Sequence, residues 1–111
     1  HLPFQDASFD LVLMADTIEH LENPRDALLE VLRLLKPEGV FVVFTPPYDS
    51  VAWVLAEKVH HLLTRRAADH ISPFTREALT HLLRRHFGEW RVGITNAGLT
   101  LYGIATRPGL R

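Results

Sequence analysis

Two unbroken apolar runs frame the first half of this chain. One is Leu11-Val12-Leu13-Met14-Ala15; the other is Val40-Phe41-Val42-Val43-Phe44, closed by Thr45, Pro46 and Pro47. Neither alternates apolar with polar residues, so each predicts a strand covered on both faces. Between them Leu28, Val31, Leu32 and Leu35 recur at helical spacing. Asn23 is placed to cap that helix, Pro24 to occupy its first turn and Asp26 to meet its dipole, while Lys36, Pro37 and Gly39 mark its end. A strand over 9–15, a helix, and a strand over 40–45 predict a parallel pair joined by a right-handed crossover.

Beyond Pro47 the periodicity is helical. Ser50 is placed to cap a helix whose Ala52, Leu55, Ala56, Val59, Leu62 and Leu63 share a face, ending at the basic pair Arg65-Arg66. A loop over 67–74 leads to Thr75, the expected cap of a further helix with Leu79, Leu82, Leu83 and His86 or Phe87 along one side. The segments 90–95 and 99–106 read as strands joined by a turn at Asn96-Ala97-Gly98, which predicts a closing hairpin. We therefore expect an α/β fold: a partial doubly wound Rossmann-like sheet of parallel strands with a C-terminal antiparallel hairpin. Residues 1–107 are read as one domain with a helical insertion or lid over 48–74, and 108–111 as a tail that frays from Arg107 onward.

Composition narrows the function classes. The chain has 111 residues, is 47% hydrophobic and 23% charged, and carries a net charge of −1, ordinary values for one folded domain. It has neither the basic field of a nucleic-acid binder nor an acidic solvating tail. With no cysteine there is no disulfide, no thiol nucleophile and no zinc–thiolate site. No run is long enough to span a bilayer and no signal-peptide pattern opens the chain, so we expect a cytoplasmic protein. Six of the seven histidines fall in His60-His61, Asp69-His70, His81 and His86 and at His1, yet no i, i+4 pair with a third ligand emerges, and no metal site is expected.

The wording of the first segment is more specific than its periodicity. Leu2-Pro3-Phe4, Asp6, Ser8-Phe9-Asp10-Leu11-Val12, then Glu19-His20-Leu21, Asn23-Pro24, Ala27-Leu28, Glu30-Val31, Arg33, Leu35-Lys36-Pro37 and Gly39 closely resemble the second half of the nucleotide-binding domain of class I S-adenosylmethionine (SAM)-dependent methyltransferases. The later stretch from His70 through Phe74-Thr75-Arg76-Glu77-Ala78-Leu79 to Phe87-Gly88 resembles the helix before the sixth strand of small-molecule members, including those acting on quinone precursors. Two departures stand out. Glu38-Gly39 replaces a usual glycine pair, and no G-x-G-x-x-G occurs anywhere in the 111 residues. That loop is the principal cofactor cradle of such folds. The expectation is therefore half a methyltransferase, lacking the glycine-rich half and starting with His1 as a cut or processed chain would.

In open parallel sheets, ligands sit at the carboxyl ends of the strands. The resemblance implies that backbone around Ala15 and Asp16 meets the methionine part of SAM, with Met14 beside them and Ile18, Leu2 and Phe4 available to flank the adenine. Asp16 is equally read as a simple loop-start residue. Methyl transfer needs a base only when the acceptor carries a proton, and a histidine suits a phenol or enol, which makes His20 the catalytic candidate. The bland reading has His20 capping the turn and Glu19 forming a structural hydrogen bond. Tyr48, Trp53 and His70 are candidates for the acceptor pocket; Trp53 is alternatively packing, and His70 a loop-ordering hydrogen bond.

Taken together these readings imply a SAM-dependent enzyme for a small organic acceptor, with no nucleic-acid partner and no membrane span. The alternative is a non-catalytic methyltransferase-like module that acts as an association partner. Its first strand would keep an open edge and an uncovered apolar face, inviting a homo-oligomer through that edge.

Overall fold

The computed structural model describes residues 2–47, 51–64 and 74–108. Strand β1 (Phe9–Ala15) leads through a single 3-10 turn (Ile18–His20) to helix α1 (Pro24–Leu34), and strand β2 (Leu35–Thr45) follows directly. Helices α2 (Val51–Thr64) and α3 (Arg76–His86) precede the hairpin of β3 (Glu89–Thr95) and β4 (Thr100–Thr106). The sheet order is β1-β2-β4-β3, with β1 and β2 parallel and the two contacts of β4 antiparallel. The expected partial doubly wound sheet with a closing antiparallel hairpin is what forms. Its last strand inserts between β2 and β3.

Pairing fixes which side chains share a face. Val12 lies opposite Phe41 and Met14 opposite Val43; Phe41 faces Ala105, Val43 faces Gly103 and Thr45 faces Leu101. On this face the 3-10 turn, α1 and α3 pack, burying Ile18, Leu28, Val31, Leu79 and Leu83 against Phe41, Val43 and Leu101. Each such side chain contributes about 1.5–3 kcal/mol on burial. Phe41 and Phe87 stack with ring centroids 5.8 Å apart. Helix α3 comes so close to β4 that a Cβ on Gly103 would stand 2.7 Å from Leu83 and 3.0 Å from Val43.

The opposite face carries Leu11, Leu13, Val40, Val42, Phe44, Tyr102 and Ile104. Leu11 and Leu13 are 57% and 61% exposed. The unbroken apolar runs predict cover on both faces; among the described residues helices pack on one, and on the other Val40, Val42, Phe44 and Tyr102 are half-buried while Leu11 and Leu13 stay exposed.

Local signals explain most element ends, with three corrections. Thr75 caps α3 by accepting a hydrogen bond from the Ala78 N–H at 3.0 Å, as its position predicts. Asn23 makes no such cap; its side-chain amide instead donates to the Asp26 carboxylate at 3.0 Å, a charge-assisted bond that orients the side chain in place of one in which its oxygen accepts a first-turn N–H. The strand expected from Val40 begins at Leu35, since Leu35 pairs with Phe9 before a register shift restores pairing at Val40. That irregularity holds Glu38 at φ 65° and brings Gly39 so near Lys36 that a Cβ would lie 2.9 Å from its carbonyl oxygen. Arg107, assigned to the fraying tail, is instead tied down. Its N–H donates to Gly39 O at 2.9 Å, its carbonyl accepts from the Glu38 N–H at 3.0 Å, and its guanidinium reaches Leu35 O.

The α2 stripe is exposed where its side chains are described, with Leu62 and Leu63 at 76% and 78%. The expected cap Ser50 and the basic pair Arg65-Arg66 lie outside the described residues.

Candidate active site

The parallel strands end together. Ala15 is opposite Phe44, and the Asp16 N–H donates to Phe44 O at 2.9 Å, extending the ladder by one residue. Asp16 then turns the chain out of the sheet with φ 51°, a conformation that Asp tolerates better than most residues. Thr17 secures the exit by donating its hydroxyl to Ala15 O at 2.9 Å and accepting the His20 N–H at 3.0 Å. The result is a shallow shelf built from Ala15 and Asp16, with the 3-10 turn on one side and Thr45-Pro46-Pro47 on the other. Pro47 bridges to Phe74, which brings the start of α3 to the same end of the sheet.

Beneath the shelf lies a buried polar pair. Glu19 and Thr45 are each only 1% exposed, and the Thr45 hydroxyl donates to Glu19 Oε2 at 2.6 Å. The other carboxylate oxygen, Oε1, stands 3.7 Å from His20 Nε2. The His20 side chain is 45% exposed, so its ring links the buried pair to solvent at the strand ends. The structural hydrogen bond expected of Glu19 is present, and its partner is Thr45, which the sequence marks only as the end of a strand. The one available signal for Thr45 was a hydroxyl at the close of an otherwise apolar run.

The sequence-derived candidates separate spatially. Ala15, Asp16 and His20 lie together at the strand ends, with Met14 just inside on the covered face. Ile18 belongs to the same turn, yet its side chain is fully buried in the core below the shelf. Leu2 and Phe4 lie at the far end of β1, about 20 Å away at roughly 3.3 Å per residue. There Arg33, in the last turn of α1, donates to Phe4 O at 2.7 Å and Leu2 O at 3.1 Å and pairs with Asp6 at 2.8 Å. Glu30 completes the clamp by binding both Arg33 and the Leu2 N–H. These hydrogen bonds, Arg33 first, lower its carboxyl pKa to about 2. Phe4 also packs edge-on against Phe9 at 5.2 Å. Tyr48 and His70 lie outside the described residues; Trp53 is on α2, but its side chain lies outside them.

Among the described residues, no group of three or more His, Asp or Glu could hold a metal ion, and no helix is long and apolar enough to cross a membrane. A surface hollow of about 460 Å³ on α3 is lined by Thr75, Glu77, Ala78, Thr80, His81 and Arg84. None of the shelf residues contributes to it.

This geometry has close counterparts. A SAM-dependent methyltransferase of Thermotoga maritima superposes with a TM-score of 0.75 at 26% identity, covering 96% of this chain and 60% of that one. The fold is that of a class I SAM-dependent methyltransferase. A family model described as a methyltransferase domain matches residues 1–43, which contain β1, the shelf, α1 and most of β2. The methyltransferase YcgJ of Bacillus subtilis is 37% identical over 70 residues, which make up 63% of this chain and 27% of YcgJ. The ubiquinone/menaquinone biosynthesis C-methyltransferase UbiE of Bartonella quintana is 37% identical over 62 residues, 56% of this chain and 23% of that protein. The chain thus spans about a quarter of the length of these curated relatives.

Proposed function

We propose that this chain forms the acceptor-side half of a SAM-dependent methyltransferase working on a small organic acceptor of the phenol, enol or quinone-precursor type. The observation that carries the reading is the coincidence of the methyltransferase-matched residues 1–43 with the shelf at the strand ends. The shelf suits the methionine end of SAM, because Ala15 and Asp16 are exposed residues there and the Asp16 carboxylate can meet an ammonium group. Bound SAM supplies an activated methyl group and its own leaving group. What remains for the protein is positioning and the removal of one proton from the acceptor. His20 is the base, half-exposed at the strand ends beside Asp16. The quinone-precursor class is supported by the naming of the Bartonella relative.

The test replaces the matching part of Bacillus subtilis YcgJ with this chain and follows labelled methyl transfer from SAM to a panel of phenols and quinols. The expected result is transfer that falls by about 10²-fold or more in His20→Gln. A chimera that binds SAM and methylates none of these acceptors sinks the proposal. The 111 residues alone are expected to show little or no heat of SAM binding in titration calorimetry, since they contain no glycine-rich loop.

One observation favours a second reading, that of a non-catalytic association module. Among the described residues β1 has no partner on its outer side, and its Leu11 and Leu13 stand exposed. Sedimentation decides it: a species larger than a monomer that Leu13→Lys dissociates supports association, and a monomer at high concentration excludes it.

A further inference from the structure

We infer that α2 is an interfacial helix that lays the protein on a membrane surface bearing anionic phospholipid. This goes beyond the methyl-transfer reading and uses none of the residues on which that reading rests.

Helix α2 is oriented opposite to an ordinary surface helix. Leu55, Val59, Leu62 and Leu63 recur at helical spacing on one face, and each is more than half exposed. At about 100° per residue, Glu57 falls on the side opposite this stripe. Glu57 is half-buried, while every other described side chain of the helix is exposed. The body of the protein therefore lies on the polar side, and the apolar stripe faces away from it. Helices shorter than about 12–15 residues are marginal in water unless packing buries an apolar face, and α2 has 14 residues. Its stripe calls for a cover that the described residues do not supply.

The charges around the stripe select that cover. Lys58 stands about a quarter-turn from the centre of the stripe. From there a long cationic side chain lays its methylenes along an apolar layer and keeps its ammonium among the headgroups. Arg65 and Arg66 follow in the chain, and Glu57, on the far side, is the one carboxylate within 51–66. A second copy set stripe to stripe would bring cation towards cation, with no carboxylate on either flank to pair with. An anionic headgroup layer pairs with the cations and offers hydrocarbon to the leucines. At about 1.5 Å per residue α2 is roughly 21 Å long, short of the ~30 Å hydrocarbon core, so it lies on the bilayer and does not cross it.

Vesicle flotation of the chain tests this. It should float with vesicles of equal parts phosphatidylglycerol and phosphatidylcholine, far less with phosphatidylcholine alone, and less as salt rises. Leu62→Ser/Leu63→Ser should weaken binding about tenfold or more, and Lys58→Glu several-fold. Leu13→Lys, on the open face of the sheet, should float as the wild type does. A wild type that stays down overturns the inference, as does equal binding to the two kinds of vesicle. A folded Leu62→Ser/Leu63→Ser protein that floats like the wild type overturns it too. Loss of flotation in Leu13→Lys would place the lipid on the sheet and would equally sink it. So would a dimer, seen by sedimentation without vesicles, that Leu62→Ser/Leu63→Ser dissociates, because the stripe then belongs to a second copy. Should the double variant unfold, Lys58→Glu and the two vesicle compositions still decide. Neither SAM nor acceptor enters the measurement, so its outcome stands apart from the methyl-transfer test.

Discussion

The two faces of the sheet bear the same kind of side chain and meet opposite fates. On one, Phe41, Val43, Leu101 and Ala105 lie beneath α1, α3 and the 3-10 turn, all at or below 1% exposed. On the other, Leu11, Leu13 and Ile104 stand between 41% and 61% exposed. Apolar surface removed from water stabilises in proportion to its area, so among the described residues the larger share of the hydrophobic stabilisation comes from the first side, while Val40, Val42, Phe44 and Tyr102 on the second are half-buried. The functional shelf sits at the boundary, built from strand ends whose lower side chains are anchored in the covered layer. Its polar pair, Glu19 and Thr45, belongs to that layer. The open side contributes less, since its Leu11, Leu13 and Ile104 keep much of their surface in water.

The largest test of this contrast is a matched pair of truncations. Leu79→Ala removes a fully buried side chain and should lower stability by about 2–5 kcal/mol in urea unfolding. Leu13→Ala, on the open face, should cost less than about 1 kcal/mol. Comparable losses for the two would show that Leu13 is covered in solution and break the comparison.

The asymmetry also explains what was legible in the chain. Elements governed by local signals stand where those signals place them: β1 over its whole length, α3 behind its Thr75 cap, and the hairpin around Asn96-Ala97-Gly98. An unbroken apolar run announces a strand but not what covers it, which depends on residues distant in sequence. The start of β2 at Leu35 was hidden for the same reason, because its partner Phe9 is 26 positions away. At the shelf, strand direction alone brought Ala15, Asp16 and His20 to one end. Leu2 and Phe4 lie at the other because the chain enters β1 there, clamped by Arg33. The Glu19–Thr45 contact is a tertiary pairing that no local pattern encodes.

A smaller test concerns the turn that feeds β2, on which both faces depend. Glu38 sits at φ 65°, a conformation costing a non-glycine residue roughly 1–2 kcal/mol. Glycine relieves that strain but adds freedom to the unfolded chain worth about 0.4–1 kcal/mol, so Glu38→Gly should raise stability by about 0.5–1 kcal/mol. Gly39→Ala should act oppositely, since its Cβ would press within 2.9 Å of Lys36 O and 3.3 Å of Asp10 O, both backbone atoms. Thermal melts of the two variants check the pair. A stabilised Gly39→Ala would mean that the register shift between β1 and β2 is looser than the close approach implies.

The smallest expected effect lies at the clamp joining the N-terminal segment to the covered side. The Glu30 carboxyl is held at about 2 against an ordinary 4.5, chiefly by its hydrogen bond to Arg33 and next by the Leu2 N–H. Between those values the folded chain binds fewer protons than the unfolded one. The contribution of Glu30 is therefore complete above about pH 5 and is lost as pH falls from 4.5 towards 2. Glu30→Gln lacks that titration, so the wild-type advantage over this variant should be present at neutral pH and shrink through the same window. Because the clamp lies near solvent, added salt should also narrow the gap at neutral pH. Urea unfolding of both proteins across this range measures it. A difference that stays constant down to pH 2 would show that Arg33 holds the N-terminal segment through Asp6 and the Leu2 and Phe4 carbonyls, without help from the Glu30 charge.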